Sequence, residues 1–219
     1  PTGWEDNGSV IKTISNKTVE IINNNVSIGG GFEGGGIDLF NDGDIALFRA
    51  GWKLTSNIIA RFGHTPSPYC HAAMIAWWHQ RLFLLHTIQF YGGRSQALSQ
   101  QVRDYPGHWD IYRVKKGRKF NSQEAINAAI NTVGKNYGWW SLSRAAVTHL
   151  PLIRLWFPPR KEDEENGHLA YCSMALDRWV RKGGIDLCPN LAGNFTEPGD
   201  IANSGSLKYM FTLNFNLGV

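Results

Sequence analysis

The stretch Cys70-His71-Ala72-Ala73-Met74-Ile75-Ala76-Trp77-Trp78-His79-Gln80-Arg81-Leu82-Phe83-Leu84-Leu85-His86-Thr87-Ile88 decides how the rest of the chain is read. Two apolar runs, 72–78 and 81–88, flank His79-Gln80 and read as an antiparallel hairpin. With Trp78 opposite Arg81, His86 faces Ala73 and His71 faces Ile88. Opposed residues share a side of a sheet, as do residues two apart on one strand. His71 and His86 are therefore expected on one face as diagonal neighbours, with Cα atoms about 7–8 Å apart, which two imidazoles can bridge. A slip of one residue would part them.

Outward from the hairpin, strands and helices alternate irregularly. Asp44 to Phe48 reads as a buried strand after a turn at Gly43, and Asp110 to Val114 as a third strand. Leu54, Ile58, Ile59 and Phe62 recur at helical spacing before Gly63. Asn121 with Glu124 three residues on is a helix-start signature, followed by Ile126, Ala129, Ile130 and Val133 on one face. Cys172 to Val180 reads as a helix with Leu176, Trp179 and Val180 on its apolar stripe and Gly183-Gly184 as its stop. Tyr209 to Phe215 is the closing strand. Residues 1–36 differ in kind. Asn23-Asn24-Asn25 and the glycine run from Gly29 to Gly36 bracket short β-prone pieces such as Thr18 to Ile22. No Lys-Ser/Thr follows the glycines, so a phosphate loop is not indicated. This part reads as an arm, either flexible or ordered by a partner chain, ahead of a domain spanning 37–219.

Composition limits the function classes. The 219 residues are 42% hydrophobic and 12% aromatic, enough for a substantial core. No apolar run approaches the roughly 18 residues of a membrane-spanning helix. The net charge of +4 is scattered, and Arg160-Lys161 runs straight into Glu162-Asp163-Glu164-Glu165, so a nucleic-acid stripe is not expected. Three cysteines without a CxxC pair suggest a reducing compartment. Pro1-Thr2-Gly3-Trp4 has no basic stretch leading into an apolar core, so cytoplasmic synthesis without a signal peptide is the expectation.

The chemistry converges on a thiol. A histidine can take a thiol proton while a third polar group orients the ring. Cys172 is the best placed nucleophile, since N–H groups and the dipole at a helix start favour thiolate and can receive an oxyanion. Cys70 is expected to face away from its neighbour His71, and Cys188 lies in a loop. Structural roles for a lone helix cysteine and for strand histidines are the competing interpretation. A zinc site from Cys70, His71, Cys172 and Cys188 lacks paired spacing, so neither metal nor cofactor is expected. His64, His79, His108, His149 and His168 fall in loops or turns.

An ordered set of motifs adds to this. Gly43-Asp44-Ile45-Ala46-Leu47-Phe48, His64-Thr65-Pro66-Ser67-Pro68-Tyr69-Cys70-His71, Val133-Gly134-Lys135-Asn136-Tyr137-Gly138, Tyr171-Cys172-Ser173-Met174-Ala175-Leu176 and Glu197-Pro198-Gly199-Asp200-Ile201-Ala202-Asn203-Ser204 follow one another across 43 to about 210. The set resembles the permuted NlpC/P60 (papain-like, YiiX-like) thiol hydrolases. The resemblance implies an α+β fold, an antiparallel sheet packed against helices. It implies Cys172 as nucleophile, His71 as general base and His86 as orienting residue, with Tyr137, Ser173 and Asp44 as candidates for substrate or oxyanion contacts. It also implies cleavage of amide bonds through a thioester acyl-enzyme, with peptidoglycan stem peptides as substrate. A phage-borne wall hydrolase would reconcile the arm, the missing signal peptide and the catalytic set. An acyl-transfer or lipid-directed enzyme of the same fold, and a non-catalytic virion module, are the alternatives. The chain departs from the pattern in having His86 where bacterial relatives often carry Glu, in Met174 where an acidic residue is usual, and in a longer stretch at 141–167 before the nucleophile.

Overall fold

The computed structural model describes residues 10–14, 18–22, 39–51, 67–78, 81–88, 91–98, 100–101, 107–135, 171–191 and 196–216. The expected helix around Leu54 to Phe62, the glycine run, Tyr137 and the 141–167 stretch lie outside these residues. Eight strands are described: β1 (Val10–Ile14), β2 (Thr18–Ile22), β3 (Ile45–Arg49), β4 (Tyr69–Trp78), β5 (Arg81–Ile88), β6 (Gly92–Ala97), β7 (His108–Val114) and β8 (Leu207–Asn216). Three helices accompany them: α1 (Ser122–Ile130), α2 (Cys172–Lys182) and α3 (Pro198–Ala202).

One sheet holds all eight strands in the order β1-β2-β8-β7-β3-β4-β5-β6. Neighbours from β8 through to β6 are antiparallel. The hairpin β1–β2 joins the other end, β2 running parallel to β8. Val10–Ile14 and Thr18–Ile22, within the stretch 1–36 read as an arm from composition, thus extend the sheet. The β-branched run Thr18 to Ile22 suits a pleated surface.

Period-two alternation divides the sheet into two faces. On the first, Ile45, Leu47, Ala72, Met74 and Leu85 pack against Ala125, Ile126 and Ala129 of α1 and Met174, Leu176, Trp179 and Val180 of α2. On the second, Phe48, Ile75, Leu84, Trp109, Ile111 and Leu213 pack with Leu39 and Phe40. The Asn121 side chain accepts from the Glu124 N–H at 3.2 Å, the cap that the sequence indicates for α1. Helix α2 has no side-chain cap, so its first-turn N–H groups are not taken up by one.

Two features position the site. The β4–β5 register runs from Trp78↔Arg81 to Met74↔Leu85, as the hairpin reading requires, and ends there. On the other flank of β4, pairing passes from Phe48↔His71 to Arg49↔Tyr69, leaving Cys70 as an extra bulged residue. Edge strand β6 is covered in turn. The Gly93 N–H donates to the Lys135 carbonyl at 2.9 Å, and the Gly134 N–H donates back to the Gly93 carbonyl at 2.9 Å. A Cβ on Gly93 would fall 2.1 Å from the Thr132 carbonyl oxygen, so only glycine fits.

Candidate active site

His71 and His86 meet. Nε2 of His71 lies 3.1 Å from Nδ1 of His86, with ring centroids 5.3 Å apart. Both stand on the second face. His71 pairs with Phe48 and sets its ring edge-on to that phenyl at 5.0 Å. His86 alternates with Leu84 and is 1% exposed.

Cys172 approaches from the first face, on which α2 packs. Its route follows from the ladder. The Ile75 N–H donates toward β3, to the Asp44 carbonyl at 2.7 Å, so Met74 and Ala72 present their amides to β5. Because β4–β5 pairing stops at Met74, the Ala72 N–H opens into a seam between the strands. The Cys172 sulfur takes that donor. Thiol and imidazole pair therefore converge on one seam from opposite sides, with Ala72 next in sequence to His71. Among the described residues no hydrogen bond joins the Cys172 sulfur directly to His71.

The electrostatics oppose the sequence expectation for the thiol. Burial pushes Cys172 up to about 11, against a smaller lowering by the backbone N–H groups of Ala72, Ser173 and Cys172 itself. Desolvation outweighs the helix start here. Burial likewise lowers His71 to about 4. It lowers His86 to about 3, helped by the neighbouring His71 and opposed by the Gln96 side chain. At neutral pH the site holds a thiol and two neutral rings.

The other sequence candidates separate. Asp44 is tied to Arg113 through two bonds of 2.7 Å and accepts from the Asn41 N–H at 2.8 Å. It lies four residues along the chain from Phe48, about 13 Å away at strand spacing, and both its oxygens serve these framework bonds. The Ser173 hydroxyl, buried, donates to the Thr196 carbonyl at 2.6 Å and holds the segment leading to α3. Cys70 corrects another expectation. The bulge breaks strict alternation, and Cys70 packs in the second-face cluster with Phe48, on the side of His71. Its thiol donates to the Phe48 carbonyl at 3.6 Å. Cys188 is buried and pushed up to about 12 by burial.

Sequence reasoning missed one cluster beside the site. Asp110, 1% exposed, accepts from Arg49 at 3.0 and 3.0 Å, from the Tyr69 hydroxyl at 2.5 Å and from the Thr212 hydroxyl at 2.5 Å. The signal available was an acid in the middle of an apolar strand, which needs partners wherever it is buried.

No family model matches the chain, and no curated protein matches it. Among solved structures it is similar to the crystal structure of metalloprotein YiiX from Escherichia coli O157:H7 (DUF1105). The TM-score is 0.52 at 15% identity, covering 77% of this chain and 95% of that one. The fold is YiiX-like. YiiX is described as a metalloprotein. In this chain, among the described residues, no group of three or more His, Cys, Asp or Glu is placed to hold a metal ion. His71 and His86 turn their facing nitrogens on each other. The donors among the described residues do not fit a metal ion. No helix among the described residues is long and apolar enough to cross a membrane.

Proposed function

We propose that the protein is a cysteine amidohydrolase or peptidase acting through a thioester acyl-enzyme, with peptidoglycan stem peptides as substrate. The observation that carries this reading is the 3.1 Å His71–His86 contact lying across the same seam that the Cys172 sulfur enters. Nε2 of His71 is occupied by His86, which leaves Nδ1 of His71 for the thiol proton.

Cys172 attacks the amide carbonyl as its proton passes to Nδ1 of His71. A thiol held up to about 11 beside a ring held down to about 4 makes this transfer concerted with attack, since no ion pair is formed beforehand. The uncapped first turn of α2 offers N–H donors to the oxyanion. The C–N bond then breaks as His71 returns the proton to the leaving amine. Water, deprotonated by His71, attacks the thioester, releases the acid and restores the thiol. Closure of the sulfur onto the imidazole accompanies substrate binding, as catalytic contacts commonly tighten in the complex.

Incubation with muropeptides and mass analysis of the products tests this. Release of a new amine together with a new carboxylate, absent in Cys172→Ala, is the expected result. Failure to cleave muropeptides, with no acyl adduct trapped on Cys172, overturns it. Release of acyl chains instead would assign the site to acyl transfer.

A further inference from the structure

The two histidines share one hydrogen bond, and which ring supplies the proton decides whether the site can work. If His71 donates from Nε2, its Nδ1 is bare and can accept the Cys172 proton. If His86 donates from Nδ1, then Nε2 of His71 is the acceptor and its Nδ1 carries hydrogen, which blocks the base. The 3.1 Å distance suits either arrangement. Something outside the pair has to choose.

Strand β6 supplies the chooser. The register pairs His86 with Arg94 and Leu84 with Gln96, so Gln96 lies diagonal to His86 on the same face of the sheet. His86 is 1% exposed, and its Nε2 has no partner in good hydrogen-bonding geometry. Water cannot readily serve so buried an atom, and an N–H left unmet there is costly. Thr87 and Ser95 lie on the opposite face by alternation, and the guanidinium of the exposed Arg94 offers no acceptor.

We propose that Gln96 is a positioning residue: its amide oxygen accepts from Nε2–H of His86, fixing the His86 tautomer and so leaving Nδ1 of His71 bare toward Cys172. The Gln96 side chain already acts on His86 as an acceptor does, favouring the protonated ring. The chain of command is Gln96 to His86 to His71, and none but His71 exchanges a proton with the thiol. The inference deepens the thiol-hydrolase reading and rests on it for its consequence, while the tautomers are read without any substrate.

Long-range 1H–15N correlation spectra at neutral pH, assigned with His71→Gln and His86→Gln, read each ring nitrogen directly. The expected wild-type result is protonated Nε2 and bare Nδ1 on both rings. Gln96→Leu should move the His86 tautomer ratio by about tenfold toward Nδ1–H. Gln96→Glu, which keeps the acceptor, should retain the wild-type tautomer and raise the titration midpoint of His86. A bare Nε2 on wild-type His86, or unchanged tautomers in Gln96→Leu, overturns the proposal. The wild-type spectrum decides even if a variant fails to fold. Confirmed tautomers in a protein that cleaves no muropeptide would overturn the hydrolase reading alone.

Discussion

Two buried polar clusters occupy the same end of β3 and β4, one on each face of the sheet, and they are built on opposite principles. Asp110 is saturated: four hydrogen bonds from Arg49, Tyr69 and Thr212 meet both of its oxygens. The His71–His86 pair has a single hydrogen bond between its rings, and Nε2 of His86 has no well-aligned partner among the described residues. A network meant to hold strands together satisfies every valence, because each one left open costs free energy. A group meant to pass protons keeps one nitrogen open, here Nδ1 of His71, and accepts that cost. The difference separates the framework from the candidate chemistry without reference to any relative.

The largest break in the comparison comes from Cys172→Ala. Amide cleavage should fall by about 10⁴-fold or more while the melting temperature stays near wild type. Retained cleavage would remove the chemical half of the contrast. Asp110→Ala should behave in the reverse sense. It takes the acceptor from the buried Tyr69 and Thr212 hydroxyls, leaving them only Tyr112 and Tyr209, and the counterion from Arg49, and a loss of about 3 kcal/mol in denaturant unfolding is expected. A change below about 1 kcal/mol would show that the saturated cluster is not what holds this end of the sheet.

Alkylation of Cys172 as a function of pH sharpens the contrast further. With a midpoint near 11 in place of the ordinary 9, the thiolate fraction at neutral pH is about 100-fold smaller, and iodoacetamide labelling should lag an exposed thiol accordingly. Labelling faster than an exposed thiol would mean that the pair is ionised before substrate arrives. The smallest effect is expected for His86→Gln, about tenfold in turnover, with an acid signature of its own. The folded pKa of His86, about 3, lies below the unfolded value of 6.5. The unfolded chain therefore takes up the proton first, and stability falls as pH drops from 6.5 toward 3. The substitution should flatten that slope by up to about 1.4 kcal/mol per pH unit. An unchanged slope in urea titrations across this window would show that His86 does not titrate as a buried neutral ring.

Much of this was legible in the residues. The hairpin register followed from where two apolar runs meet, and it placed His71 beside His86. Asn121 with Glu124 marked the start of α1, and Gly183-Gly184 the end of α2. Strand β6 was not legible, because Gly92-Gly93-Arg94-Ser95-Gln96-Ala97 has neither apolar alternation nor β-branched residues. It is held by backbone pairing on both sides. The burial of Cys172 was equally hidden. Local sequence reports the helix start, which favours thiolate, but desolvation depends on β4, a hundred residues away. The Cys70 bulge escaped for a related reason: alternation is a rule for unbroken ladders, and nothing in Tyr69-Cys70-His71 announces the extra residue.

The missing side chain at Gly93 has a consequence beyond fit. Its bareness lets the 133–135 segment zip onto β6, so the amide and carbonyl of Gly93 are answered within the molecule. A methyl group at this position would pry that segment away and uncover a template onto which a second chain could add, turning this rim of the sheet into a seed for aggregation.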